Sequence, residues 1–215
     1  MIPLINQLKK ERHRQVAIAQ DFLITELYRF FPQAVFHGGT AIWRCFHGGR
    51  FSEDLNVYIE KDKDQIERLF TSLQQKGMNV IKKKVSANSL YSKIEFDRHI
   101  VSLEAVFKKV KGTLAEYEKV DGNILMVYSL TSNQFIEEKV EAYLGRKKIR
   151  DLYDIFFLLS KADRLPKVVA ALQKLLAEFS LPEDETDLKS IILEGAMPDS
   201  KNMIEYIRRW VQKNI

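Results

Sequence analysis

Residues 37–59, reading His-Gly-Gly-Thr-Ala-Ile-Trp-Arg-Cys-Phe-His-Gly-Gly-Arg-Phe-Ser-Glu-Asp-Leu-Asn-Val-Tyr-Ile, constrain the fold more than any other part of the chain. An apolar lead-in, Ala34-Val35-Phe36, runs into a Gly-Gly-Thr loop. One short helix, a second Gly-Gly turn and a strand over about 54–59 follow. A Gly-rich loop that opens a helix aims backbone N–H groups outward, because the first amides of a helix have no partner within it. Asp54 and Asn56 stand two apart, so on a strand they point to the same face. Amides and hard oxygen donors in that order suit a Mg²⁺ ion held over a phosphate.

Gly38-Gly39-Thr40, followed by Arg50-x-Ser52-x-Asp54-x-Asn56, resembles the first signature of the AbiEii/AbiGii toxin family. That family belongs to the nucleotidyltransferase superfamily, with the minimal nucleotidyltransferases and the DNA polymerase β fold. One position departs from the pattern: Asn56 stands where the family has its second Asp. Residues 136–154 resemble the second signature, Glu-Lys-x-x-Ala … Arg-x-x-x-Arg-Asp-x-x-Asp, in Glu138-Lys139 and Ala142, then Arg146, Arg150-Asp151 and Asp154. Two separate motifs in the right order make the resemblance specific.

The resemblance implies an α+β fold, a nucleotidyltransferase-type mixed β-sheet flanked by helices and followed by a C-terminal helical domain. The pattern of the chain agrees. Residues 3–31 carry helical periodicity (Leu4, Leu8, Val16, Ala19, Leu23, Leu27, Phe30) up to Pro32. Residues 64–76 form an amphipathic helix ending at Gly77. Strands are expected at 78–85, 91–96 and 100–107, a looser basic stretch at 108–119, a turn at Asp121-Gly122 and a last strand at 124–130. From Thr131 the periodicity is helical. Thr131 or Ser132 caps either one long helix over 132–161 or two helices broken near Gly145, and Pro166, Pro182 and Pro198 punctuate the rest. The expected division is an α/β domain over 1–130 and a helical domain over 131–215.

Composition narrows the setting. Of 215 residues, 46% are hydrophobic and 29% charged, which disfavours disorder. A net charge of +5 permits a polyanionic partner without requiring one. Cys45 is the single cysteine, so no intramolecular disulfide forms. The N-terminus turns charged too early for a signal peptide, and the apolar runs are too short to span a bilayer. The expectation is a cytoplasmic protein with no membrane association.

Two Mg²⁺ ions (or Mn²⁺) held by carboxylates on neighbouring strands can clamp the attacking and leaving oxygens of a nucleotidyl transfer. Asp54 is the strongest candidate ligand. Asn56 is the second, although an amide oxygen brings no negative charge. Glu104, in the apolar run 101–106, is the third candidate and lies where the family's later-strand acid falls, with Glu95 as runner-up. Gly38 and Gly39 let backbone approach a phosphate, and Thr40 offers a hydroxyl contact or a helix cap. By the resemblance, Arg50 and Ser52 help to order the loop and the nucleotide. His37 and His47 have no metal-binding companions and read as structural.

In the second motif Lys139, Tyr143, Arg146, Arg150 and Asp154 recur at intervals of three and four, which places three cations along one helical face. Val140, Leu144, Leu152, Ile155 and Phe156 would then face the core. By itself this reads as a solvated face with internal ion pairs. By the resemblance, Lys139 contacts nucleotide phosphates, Asp151 is a base or orienter, Arg146 and Arg150 are phosphate or structural partners, and Asp154 is structural. The runs Lys82-Lys83-Lys84 and Lys108-Lys109-Val110-Lys111 are basic clusters available to RNA or simply to water.

These readings lead to a Mg²⁺-dependent nucleotidyltransferase. It moves a nucleoside monophosphate from an NTP to an acceptor, an RNA such as a tRNA 3′ end, as the toxin of a pair with a separate antitoxin protein. Asn56 leaves open a divergence that lowers or alters activity, or a substitution that disarms a toxic protein. The alternatives are a catalytically inactive nucleotide- or RNA-binding module of the same fold, and transfer to a protein or small molecule.

Overall fold

The computed structural model describes residues 3–193 and 197–213, so the first two residues of the N-terminal reading and parts of the expected helical domain (194–196, 214 and 215) lie outside it. The chain divides into two compact units, Met1–His47 with Phe51–Ser129, and Gly48–Arg50 with Leu130–Ile215. Among the described residues no helix is long and apolar enough to cross a membrane.

In the first unit the helix expected over 3–31 is two helices, α1 (Leu4–Gln7) and α2 (Glu11–Phe30). Leu8 turns extended, and Arg14 Nε donates to its carbonyl at 2.7 Å, which satisfies the end of α1. The stripe Val16, Ala19, Leu23 and Leu27 is buried, as the periodicity requires. Then come β1 (Val35–His37), α3 (Gly38–Phe46), β2 (Leu55–Ile59), α4 (Lys63–Gln75) and strands β3 (Asn79–Val85), β4 (Ser89–Phe96), β5 (His99–Phe107), β6 (Thr113–Glu118) and β7 (Ile124–Ser129).

The strands form one mixed sheet in the order β3-β4-β5-β2-β1-β7-β6. β2 runs parallel to β5 and β1 parallel to β7; the remaining pairs are antiparallel. One face is apolar (Phe36, Val57, Leu103, Ile94, Tyr117, all buried), whereas Asn56, Tyr58, Tyr91 and Glu104 occupy the alternate positions. Beneath the sheet Arg44 is fully buried, paired with Asp21 and stacked against Trp43 and Tyr117.

β6 corrects the expectation of a loose stretch over 108–119. Its register with β7 (Ala115↔Val127, Tyr117↔Leu125) is closed by a turn in which Gly122 takes φ 87°. Only Tyr117 and Glu118 of this edge strand are buried, so its hydrophobic alternation is too short to stand out.

The second unit is helical: α5 (Ser132–Arg146), α6 (Ile149–Leu158), α7 (Pro166–Glu178), α8 (Leu188–Ile191) and α9 (Ser200–Gln212). Thr131 caps α5 in a complete capping box with Gln134. The break after α5 falls at Lys147, in the left-handed region at φ 50°, while Gly145 lies inside the helix. Phe135, Ile136, Val140, Leu152, Ile155, Leu172, Met203 and Ile207 form its core. Gly48–Arg50 joins this unit through Leu193 N–H donating to Gly49 O at 2.9 Å and a β-bridge between Arg50 and Ile192.

Candidate functional site

At the end of β1 the chain turns straight into α3. Gly38, at φ 77°, makes that turn in a conformation that side-chain-bearing residues rarely adopt. The first amides of α3, those of Gly38, Gly39 and Thr40, therefore begin where His37 stands beside Asn56 in the β1–β2 register. Gly38 packs directly on the Asn56 side chain.

Asp54 is the residue before β2, and its carbonyl accepts a 2.6 Å hydrogen bond from Thr40 Oγ1. Thr40 is fully buried, so this bond corrects the expectation of a phosphate contact or a helix cap: Thr40 holds Asp54 in place. Gln20 does the same one step upstream. From α2 its Nε2 donates to both Ser52 O and Glu53 O at 2.9 Å. Sequence reading missed Gln20; the signal was a polar residue at a buried position of an otherwise apolar stripe. Phe51 anchors the other end of this loop, stacked on His13 at 3.8 Å and edge-on to Trp43.

Asn56 and Glu104 are register partners on the parallel pair β2–β5. Neighbours in register share a face of the sheet, and Glu104 is exposed there. Glu95 is four residues along β4 from Tyr91, the partner of Glu104, and so about 13 Å away. It accepts from Asn79 Nδ2 at 3.1 Å. Of the two acids weighed from the sequence, Glu104 is the one in the row of Asn56. His37 stacks on Tyr58 at 4.0 Å, and Lys108 Nζ lies 5.8 Å from the same ring.

This donor set bears on a metal. Among the described residues no group of three or more His, Cys, Asp or Glu side chains could hold an ion. Asp54 and Glu104 are two carboxylates, and Asn56 adds a neutral oxygen. Mg²⁺ is commonly bound by one or two carboxylates together with substrate phosphates. By the chemistry of the donors, two carboxylates and one amide suit a hard cation that keeps other oxygen ligands rather than a preformed two-ion cage.

The second motif forms a chain of alternating charges within the helical unit. Arg50 makes a bidentate pair with Asp154, Nε to Oδ1 and Nη2 to Oδ2, both at 2.6 Å. Lys139 Nζ bridges Asp154 Oδ2 at 2.7 Å and Asp151 Oδ1 at 3.0 Å. Arg146 closes the chain on Asp151 through Nε at 2.7 Å and Nη2 at 2.9 Å. Arg50, Asp154, Lys139 and Asp151 are buried; the Arg146 side chain is half-exposed. Burial alone would push the Asp151 carboxyl up, but hydrogen bonds from Arg146 and the Lys139 charge hold it below the usual carboxylate range. Burial would likewise depress Arg50, and Asp154 outweighs it, so Arg50 stays firmly charged.

These contacts correct the single cationic stripe. The break at Lys147 puts Lys139 and Arg146 on α5 and Arg150 on α6, where it is exposed. Tyr143 is buried, its hydroxyl donating to Ser180 O at 2.7 Å, while Leu144 and Phe156 are only half-buried. Lys139 directs its charge at two carboxylates. Asp151, fully buried and held ionised by Lys139 and Arg146, is a poor proton acceptor.

The sequence profile of a family described as nucleotidyl transferase AbiEii toxin, type IV toxin–antitoxin system, matches residues 22–206. No curated protein sequence matches the chain. Among solved structures, MenT4, a nucleotidyltransferase toxin from Mycobacterium tuberculosis H37Rv, is similar with a TM-score of 0.67 and 17% identity, covering 95% of this chain and 85% of that one. JHP933 from Helicobacter pylori is similar with a TM-score of 0.63 and 17% identity, covering 92% and 90%. At that identity the likeness is one of fold.

Proposed function

The chain belongs to the AbiEii family of nucleotidyltransferase toxins, and on that premise we propose that it transfers a nucleoside monophosphate from an NTP to a hydroxyl of RNA, a tRNA 3′ end, releasing pyrophosphate. Its cellular role is the toxin of a pair whose antitoxin is a separate protein. The observation that carries the reading is the junction of β1, α3 and β2. There the opening amides of a helix, a Gly-only turn, Asn56 and Glu104 converge within one sheet row.

In this reading the amides of Gly38 and Gly39 receive triphosphate oxygens, an anion at a helix N-terminus. Thr40 and Gln20 fix the backbone that carries Asp54, so that its carboxylate needs no reorganisation when substrate arrives. Asp54 and Glu104 would hold a Mg²⁺ or Mn²⁺ ion delivered with the NTP, with Asn56 as a neutral third donor. Bound there, the ion supplies charge neutralisation on the phosphates and activation of the attacking hydroxyl. Within the helical unit the Arg50–Asp154–Lys139–Asp151–Arg146 chain has a structural part in this reading, because each buried carboxylate is held by cations.

Asn56 favours a second reading, a module that binds nucleotide and transfers slowly or not at all. Incubation of the protein and its Asn56→Asp variant with each α-labelled NTP, Mg²⁺ and total tRNA separates the two. Label on RNA with either form supports the transferase. NTP binding without label from both forms sinks it for this acceptor pool and leaves the binding module.

A further inference from the structure

The edge strand β3 reads Asn-Val-Ile-Lys-Lys-Lys-Val, and a bulge between Val80 and Lys82 shifts its register against β4. Before the bulge Asn79 faces Glu95 and Val80 faces Ile94; after it Lys82 faces Lys93 and Lys84 faces Tyr91. Without the extra residue, Ile81 and Lys83 would occupy those two places, since a one-residue slip moves every side chain to the other face. The bulge therefore brings Lys82 and Lys84 onto the face of Tyr91, Lys93 and Glu104. Lys83 goes to the opposite face, paired with Glu67 at 2.7 Å and over the Phe70 ring at 4.5 Å.

Lys82 Nζ lies 5.4 Å from the centre of the Tyr91 ring. Lys82 and Lys84 are exposed, Lys93 is half-exposed, and none of the three forms an ion pair among the described residues. Register partners then run straight across the sheet: Lys84, Tyr91, Glu104, Asn56, His37. Lys82, Lys93 and Ser102 make the adjoining row. At about 4.8 Å per strand, Tyr91 is one spacing and Lys84 two spacings from Glu104.

We infer that this open sheet face, from β3 inward to Glu104, is the docking lane for a single-stranded RNA acceptor. Tyr91 stacks a base near the terminus, and Lys82, Lys84 and Lys93 bind the backbone phosphates behind it. The inference rests on the RNA-acceptor reading above and assigns that acceptor a surface. Unpaired cations around an aromatic platform form the pattern that takes single strands. The charges also change sign where they should. Cations flank the path of the phosphates, and the acid Glu104 stands at the inner end, where a 3′ hydroxyl, which is neutral, arrives. Glu95, on the same face beyond Lys93, is engaged by Asn79.

The test is fluorescence anisotropy of a short fluorescein-labelled single-stranded RNA with the full chain over a range of salt concentrations. Each lysine that meets a phosphate contributes about −0.7 to the slope of log K against log salt. K82A/K84A/K93A should lower the slope by about 2, while K167A/K201A/K213A, which removes the same charge from exposed positions on α7, on α9 and just after α9, should bind as the parent does. Tyr91→Ala should weaken binding on the order of ten- to a hundredfold with little change of slope, and Tyr91→Phe, which keeps the ring, should restore it. Equal losses in the two lysine triples, or parental binding by Y91A, overturn the lane. Labelling assays separate the two ideas. RNA labelled by the lane variants with an unchanged KM for RNA defeats the lane alone. Label found only on a protein or small molecule defeats the RNA reading with it, as does a lane whose loss abolishes binding of an acidic protein and leaves RNA binding intact.

Discussion

A Cβ built on Gly38 would lie 2.8 Å from the side-chain Nδ2 of Asn56 and 3.1 Å from its Cβ and Cγ, so the loop that opens α3 and the strand that carries Asn56 are in direct steric register. At φ 77° the backbone of Gly38 adds its own penalty for any side chain. Gly38→Ala should cost about 1–2 kcal/mol from the left-handed backbone alone, with the displacement of Asn56 added. The expected result is a lower Tm together with weaker NTP binding; a variant that keeps both would mean that the loop is not built around this contact.

Asn56→Asp places a carboxylate beside Glu104, its register partner. Like charges opposite one another cost about 0.2–1 kcal/mol, and the adjacent N-terminus of α3 returns about 0.3–1 kcal/mol. The two nearly cancel, so Tm without metal should barely move. Added Mg²⁺ should then stabilise the Asp variant, by about 1.4 kcal/mol at ten times its Kd, and leave the parent's Tm unchanged. Equal responses of both proteins to Mg²⁺ in thermal unfolding would show that position 56 does not face the cation.

Within the helical unit the burial of charge sets an order of damage. Asp154→Ala removes the bidentate partner of a buried arginine and one of the two anions of Lys139, which should cost about 3–5 kcal/mol. Lys139→Met is milder, because Asp154 keeps Arg50 and Asp151 keeps Arg146. Urea unfolding of the two variants checks the ranking, and a Lys139 variant less stable than the Asp154 variant would contradict it.

The Asp151 carboxyl, depressed by Arg146 and Lys139 against the pull of burial, couples this network to pH. A carboxylate with a lowered folded-state pKa contributes stability that is present above its unfolded value, about 3.9, and is lost as pH falls through the folded value. Acid unfolding should therefore be late, below the ordinary carboxylate range. Arg146→Ala removes two of the three cationic contacts of Asp151, so its acid transition should begin at a higher pH. Coincident acid midpoints by circular dichroism would rule out this coupling.

Gln20→Leu tests the loop that carries Asp54. The change keeps the side chain's bulk at a buried position and removes both 2.9 Å hydrogen bonds to the 52–53 carbonyls, leaving two acceptors without their donor. A loss of about 1–3 kcal/mol is expected, with weakened Mg²⁺·NTP binding because Asp54 loses its support. Parental NTP affinity at reduced stability would limit Gln20 to packing.

Much of the site is legible from local pattern. Gly38 and Asn56 declare themselves because a turn that only glycine makes easily, a helix start and a strand are properties of adjacent residues, whereas Asp54, expected on that strand, falls one residue before it. The strand-bearing first half and the change to helix at Thr131 follow from periodicity and capping in the same way, whereas the mixed sheet was implied by the family resemblance. What pairs across the fold is not written in any local period. Strand order and register put Glu104 rather than Glu95 in the row of Asn56. A single bulge, with no sequence marker of its own, turned two of three consecutive lysines onto the open face. Helical spacing suggested one line of cations, but the left-handed residue Lys147 divided it, and burial then forced each carboxylate to find cations from elsewhere in the unit, Arg50 among them. Short-range sterics and hydrophobic periodicity act between neighbours in sequence; register, burial and charge pairing act between neighbours in space, and only the folded chain decides who those are.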